Sequence, residues 1–178
     1  SSAETNAVTG NRIFRSGGNG LSNAGATGNY FYDNTVESTV GYGLNCDGVS
    51  ANNYFDSNTV TDGGSYGVYL AADSNSITGN RVENNGADGL FVTGGDSNTV
   101  TGNLVARNLA YGFNIANSTA NYLYNNLADS NSNINLYLSG TSQDNRIDSN
   151  TVVNGNSDGI SLAADSNLIT NNLVENNI

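Results

Sequence analysis

The stretch GNRVENNGADGLFVTGGDSNTVTGN, Gly79 to Asn103, begins and ends on the same dipeptide and places Val, Leu and Val at comparable positions between. Working outward, Asn6, Asn29, Asn53, Asn75, Asn98, Asn121, Asn145 and Asn167 follow one another at intervals of 22 to 24 residues. Each has a second Asn five residues later: Asn11, Asn34, Asn58, Asn80, Asn103, Asn126, Asn150 and Asn172. Nine residues beyond that second Asn stands Gly20, Gly43, Gly67, Gly89, Gly112, Asn135 or Gly159. A fixed period in this range is the signature of stacked repeats.

Apolar residues keep the same register. Two after the first Asn come Val8, Phe31, Phe55, Ile77, Val100, Leu123, Ile147 and Ile169, and two after the second come Ile13, Val36, Val60, Val82, Val105, Ala128, Val152 and Val174. One and three after the glycine column come pairs such as Val68/Leu70, Leu90/Val92 and Phe113/Ile115. Of these 30 positions only Asn23 is polar, although the chain as a whole is 37% hydrophobic. Each repeat therefore carries three short alternating segments, too brief and too β-branched for helices. A leucine-rich repeat of similar length needs a Leu framework and a return arm that are absent here. The expected fold is all-β: a right-handed, single-stranded parallel β-helix with three strands per coil and about seven to eight coils of 22–24 residues. The hand follows from the right-handedness of parallel crossovers. At about 4.8 Å per coil, seven periods predict a tube roughly 34 Å long.

In this reading residues 1–178 are a single domain. The 16 column asparagines form ladders in which each amide bonds the one above and below, at corners where Asn tolerates left-handed backbone. The glycine column marks corners with permissive angles. Asn53–Asn85 and Asn145–Asn177 are identical at 22 of 33 positions, so a four-coil block, offset by 92 residues, is duplicated. Neither end carries an amphipathic helix or a Pro or Lys guard, although an open β-helix end exposes strand edges and core. Caps, further coils or neighbouring subunits are expected to cover them.

Composition narrows the partners. The chain has 34 Asn, 22 Gly and a formal charge of −11 from 16 acids against five arginines. Ten Tyr, five Phe and many β-branched residues argue for a folded chain. The negative field repels phosphate backbones, so nucleic acid is not an expected partner. No apolar run reaches the roughly 20 residues of a membrane helix. Cys46 stands alone, which excludes an internal disulfide, and its inward column makes it a small buried hydrophobe.

Units such as NSITGNRVENNGADGLFV (Asn75–Val92) resemble the parallel β-helix repeat superfamily of polysaccharide lyases, polygalacturonases, mannuronan C5-epimerases, NosD-type periplasmic proteins and phage tailspikes. The resemblance covers nearly the whole chain and implies the pectate-lyase-like fold. The repeated residues build the tube, so it says little of activity. The Asp-Pro-His motif that the resemblance implies for epimerases is absent, since the chain has no His and no Pro. Lyases of this kind commonly use a basic group or Tyr, often with Ca²⁺; here the basic groups are Arg12, Arg15, Arg81, Arg107 and Arg146, of which Arg81 and Arg107 are the nearest to a pair.

Three sets of residues could carry chemistry. Asp73 and Asp96 occupy one register on neighbouring coils, about 5 Å apart, and retaining glycosidases hold their carboxyls about 5–5.5 Å apart. With Arg107 they are the catalytic candidates. The same two acids are the candidate Ca²⁺ ligands, although a DSN turn in which Asp caps backbone N–H groups explains them more simply. Tyr69, Phe91 and Tyr137 point outward from third strands, and Tyr30, Tyr54 and Tyr122 from first strands. Such aromatic stripes stack on sugar rings, on one another or on a neighbouring chain. The facing of Tyr42, Tyr66 and Tyr111 is open. The expectation is a secreted, surface-exposed or virion-surface scaffold, or a periplasmic one, that presents a glycan-binding face. The alternative is a fragment of a polysaccharide-processing enzyme. Ca²⁺ is the single cofactor considered. The expected partners are a polysaccharide or neighbouring subunits, a homo-oligomer included.

Overall fold

The computed structural model describes residues 5–178. Strands of three or four residues form three parallel sheets of eight, eight and seven strands, and every strand pairs with those one coil before and after it. Ser76–Thr78 lies between Tyr54–Asp56 and Thr99–Thr101, which sets Ile77 over Phe55 and under Val100. In the second sheet Val82 sits between Val60 and Val105, and in the third Leu90 and Val92 sit between Val68/Leu70 and Phe113/Ile115. The alternating segments are thus strands whose middle or flanking residues face a shared interior, in the predicted register. The first, second and third sheets are named below by the order in which each coil visits them.

The interior is apolar. Ile77, Val82, Leu90, Val92, Val100, Val105 and Ile115 have no exposed surface, and Phe31 and Phe55 stack with ring centres 4.7 Å apart. The polar exception Asn23 is also buried: its Nδ2 donates to the Ala26 carbonyl at 3.0 Å and its Oδ1 accepts from Asn29 Nδ2 at 3.2 Å. Cys46 packs beside it, and burial pushes its thiol pKa up to about 11.

The ladders form, and their geometry explains the Asn requirement. Asn103 Oδ1 accepts from both the backbone N–H and the Nδ2 of Asn80, at 2.9 and 3.0 Å, while its own Nδ2 donates to the Ile77 carbonyl and to Asn126 Oδ1. The amide supplies an acceptor and two N–H donors from one side chain, where a hydroxyl has a single donor and a carboxylate none. The backbone detail differs from expectation. The left-handed residue is the one before the ladder Asn, as at Ser57 (φ 55°), Gly79 (62°), Gly102 (66°) and Asn125 (53°). The glycine column is not left-handed; it is crowded. A Cβ on Gly89 would run into Val105 Cγ1 of the next coil and lie 2.6 Å from Asn108 Nδ2. Close approach, rather than a permissive φ, excludes side chains there.

The Val side chain and glycine carbonyl of the next coil crowd the column from Gly20 onward, and from Gly67 a third ladder, not anticipated above, adds to them. Asn108 Oδ1 accepts from Asn85 N and Nδ2 at 3.1 and 3.0 Å, and Asn131 Oδ1 accepts likewise from Asn108. The column continues at Gly155 and Asn177, so Gly155 lacks the amide. Asn135, the residue that breaks the glycine column, supplies it. Its Oδ1 accepts from Asn131 Nδ2 at 2.7 Å, and its Nδ2 donates to the Val153 carbonyl at 2.8 Å and to Asn177 Oδ1 at 3.0 Å. The two departures from the repeat compensate each other.

Candidate functional site

The outer face of the third sheet carries two parallel columns. One is the residue before each column glycine, including Tyr42, Tyr66, Asp88 and Tyr111; the other is the outward residue of the strand, including Asn45, Tyr69, Phe91, Asn114 and Tyr137. The columns meet diagonally, each member of the first touching the second in the following coil. Tyr42 stacks on Tyr69 at 4.7 Å, Tyr66 meets Phe91 at 5.0 Å and Tyr111 stacks on Tyr137 at 5.0 Å. The facing left open for Tyr42, Tyr66 and Tyr111 is therefore toward this sheet. All six rings are half-buried.

A polar pair takes the same diagonal place between the aromatic ones. Asn114 Nδ2 donates to Asp88 Oδ2 at 2.9 Å, and the Tyr111 N–H donates to Asp88 Oδ1 at 3.1 Å. Asp88 is only 5% exposed, and burial raises its carboxyl pKa above the ordinary value against the pull of those two hydrogen bonds. Burial likewise raises the Tyr66 and Tyr69 phenols, with the Asp88 charge adding to the effect on Tyr66. Asn45, nearer the N-terminal end, donates from Nδ2 to Ser22 Oγ and Asp47 Oδ2, each at 3.1 Å. The Oδ1 atoms of Asn45 and Asn114 are buried without a hydrogen-bond partner. Such acceptors are uncommon in folded proteins.

The remaining predicted residues lie elsewhere. On the first sheet Tyr30 and Tyr54 stack at 5.0 Å and are nearly half exposed. Tyr122 is two coils further on from that pair's nearest empty position: Ser76 and Thr99 intervene in the ladder, so the stripe is broken. Arg146 lies over the Tyr122 ring at 5.2 Å and pairs with Asp148 at 2.6 Å. Asp73 and Asp96 occupy the turn between the third and first sheets. Asp73 Oδ1 accepts the Asp96 N–H at 2.8 Å and Asp96 Oδ1 accepts the Thr119 N–H at 2.6 Å. One oxygen of each carboxylate is thus engaged by the backbone of the following coil. Arg107 sits at a different corner, after the second sheet, where it pairs with Glu83 at 2.9 Å; Arg81 contacts the same carboxylate. Glu83 is buried between them. Arg107 is therefore brought to Arg81 and not to the two aspartates. Among the described residues no three His, Cys, Asp or Glu side chains converge as metal ligands.

Sequence reasoning singled out Tyr69, Phe91 and Tyr137 but not Asp88 and Asn114 as a pair. The signal was present in the columns: Asp88 replaces Tyr before one glycine, and Asn114 replaces an aromatic one coil later.

The family model described as "Right handed beta helix region" matches residues 1–105 and 43–178. No curated protein matches the sequence. Among solved structures, the A-module of Azotobacter vinelandii mannuronan C-5 epimerase AlgE4 is similar with a TM-score of 0.81 at 15% identity, over 96% of this chain and 56% of that one. The periplasmic alginate epimerase AlgG gives a TM-score of 0.69 at 16% identity, over 88% of this chain and 47% of its own. These likenesses are of fold, and the chain spans about half the length of both structures.

Proposed function

Because this chain belongs to the right-handed β-helix family, whose tube leaves recognition to its outer side chains, we propose that it is a glycan-binding module that holds a polysaccharide against the outer face of the third sheet. The observation that carries this reading is the shelf of six rings interrupted by one polar pair, Asp88 and Asn114. The rings stack on one another, so the shelf is assembled before a ligand arrives and little side-chain freedom is lost on binding. Its half-buried edges offer apolar surface to the faces of sugar rings, while Asp88 and Asn114 offer polar atoms to hydroxyls. The named activities of the structural neighbours, epimerases of mannuronan and alginate, support a polysaccharide as the class of ligand. A site outside the cytoplasm, in the medium, on a cell or virion surface or in the periplasm, accords with such a ligand.

Affinity electrophoresis through gels containing soluble polysaccharides tests the proposal. Retardation is expected, with loss in a Tyr66→Ala/Phe91→Ala variant that keeps its circular dichroism. A Tyr30→Ala/Tyr54→Ala variant on the first sheet should be retarded as the parent is. If the first-sheet variant loses binding and the third-sheet one keeps it, the site has been assigned to the wrong face.

A second reading, part of a lyase, C5-epimerase or glycoside hydrolase, draws on the same neighbours and on Asp88. Burial shifts the Asp88 carboxyl pKa upward beside Tyr66, the direction that favours a general acid. Polymer cleavage or epimerisation that disappears in Asp88→Asn, with binding retained, would favour that reading.

A further inference from the structure

We infer that the third-sheet face selects neutral, hydroxyl-rich polysaccharides against polyuronates, with Asn45 and Asn114 as the specificity-determining residues; this rests on the glycan-binding reading above. The argument begins with the orientation of two amides. A carboxylate only accepts hydrogen bonds, so the side-chain nitrogen of Asn114 must face Asp88, and that of Asn45 must face Asp47, as both do. Each amide therefore turns its oxygen away from its carboxylate, and both oxygens are left without a donor. Four polar groups, two carboxylates and two amide oxygens, thus present acceptors.

What satisfies such a set is a ligand that donates. Sugar hydroxyls do; carboxylate and sulfate groups cannot. Among the described residues no cation stands by to offset a bound anion. Arg12, Arg81 and Arg107 are tied to Glu37 and Glu83 at the second sheet, and Arg146 to Asp148 at the first. Arg15 follows a second-sheet strand and lies over Phe14. The chain has no Lys. A uronate carboxylate on this face would meet Asp47 and Asp88 unscreened at short range, where salt attenuates repulsion least.

The acceptors are covered in the free protein. Asn114 lies in the strand ladder between Phe91 and Tyr137, and Asn45 lies next to Tyr69. The rings around them are half-buried and not fully buried, which leaves their edges within reach of a ligand. An orphaned buried acceptor is destabilising, so a hydroxyl that displaces a ring edge and reaches Oδ1 recovers a hydrogen bond the free protein lacks.

The test uses the intact chain and isothermal titration at 0.15 M NaCl with four polymers: mixed-linkage β-glucan and galactomannan as neutral probes, polymannuronate and polygalacturonate as acidic ones. At least one neutral polymer should bind, and both acidic ones at least tenfold more weakly. Asn114→Leu should weaken neutral binding at least fivefold with the melting temperature held within a few degrees. Asp47→Asn/Asp88→Asn should raise acidic binding at least threefold. Should Asn114→Leu lose its fold, Asn45→Leu provides the same comparison. Acidic binding equal to or tighter than neutral overturns the selection and leaves the glycan-binding reading standing. Unchanged neutral affinity in both Leu variants overturns the assignment to the two asparagines. Binding to none of the four removes the glycan-binding reading, and this inference with it.

Discussion

A single ladder amide shows how much one side chain does in this tube. Asn103 gives an acceptor to two donors of Asn80, returns a donor to the Ile77 carbonyl of that same coil, and donates upward to Asn126 Oδ1 from both its backbone N–H and its Nδ2. In Asn103→Ala the Asn80 backbone N–H loses its acceptor inside the wall, while Asn80 Nδ2 keeps the Phe55 and Thr78 carbonyls; with an unmet buried group costing about 1–3 kcal/mol, a loss of about 1–3 kcal/mol is expected by denaturant titration. The exposed Asn156→Ala should change stability by less than about 0.5 kcal/mol. Asn135 and Gly155 extend the logic to a pair of positions. Asn135→Gly deletes the amide that bridges Asn131 to Asn177, and Gly155→Asn drives a Cβ to 2.7 Å from Asn135 Nδ2. Each single change should destabilise by about 2–4 kcal/mol, whereas the double variant restores the ordinary pattern of an amide in one column and a glycine in the other. A double-mutant cycle with the double variant within about 1 kcal/mol of the parent confirms the exchange; additive losses refute it.

At the level of strands and corners, the period did most of the explanatory work available before the structure was known. Inward residues such as Ile77, Val82 and Leu90 could be placed because strand alternation and coil spacing fix both face and register. The ladder asparagines could be placed because the second follows the first by five residues in every coil. Turn geometry was less legible. Tyr66 sits one residue before a glycine, and nothing in a one-dimensional period says that its ring crosses diagonally to the next coil to meet Phe91. The Asp88–Asn114 contact is hidden by the same kind of diagonal, here a 26-residue offset, three more than the coil spacing around it. The glycine column was visible but its cause was not, since a close approach of the next coil's Val Cγ1 and carbonyl, joined by Asn85, Asn108 and Asn131 over part of the length, depends on how the coils stack in space. Corners also hold unrelieved strain. Ala120 is exposed at φ 54°, in a column where the other coils from Gly28 onward place Gly, Asn, Ser or Asp. Because Ala lacks the local hydrogen bonding that lets Asn tolerate this region, Ala120→Gly should stabilise by about 0.5–1 kcal/mol after the entropic penalty of Gly. A fall in the urea midpoint would contradict that account of the corner.

Across the whole molecule, electrostatics and stacking give two further expectations. Asp88 and Asp148 respond oppositely to acid. Hydrogen bonds from Asn171 and then Arg146 hold the Asp148 pKa near 2, so its contribution is present above the ordinary 3.8 and is lost as pH falls through about 2. Burial raises that of Asp88, so its contribution is complete below 3.8 and is lost as pH rises through its folded value. Denaturation between pH 2 and 7 should show Asp88→Asn flattening the profile above 3.8 and Asp148→Asn flattening it below; the reverse assignment would mean that burial is not what raises Asp88. The stacking argument concerns cooperativity. Each coil touches only its neighbours, so stability is a sum of coil and interface terms rather than a property of one shared core. Ile77, Val82, Leu90, Val100, Val105 and Ile115 are fully buried, whereas Leu162, Leu168 and Leu173 are about half exposed at 49–54%. Amide exchange in this chain should then be slowest around Ile77–Leu138 and quicken coil by coil toward both ends, because terminal coils open without disrupting the middle. Gly89→Ala, which forces a Cβ against Val105, should speed exchange most in the two coils that meet there. A profile that stays uniform along the tube, and shifts uniformly in that variant, would show instead that all coils open together.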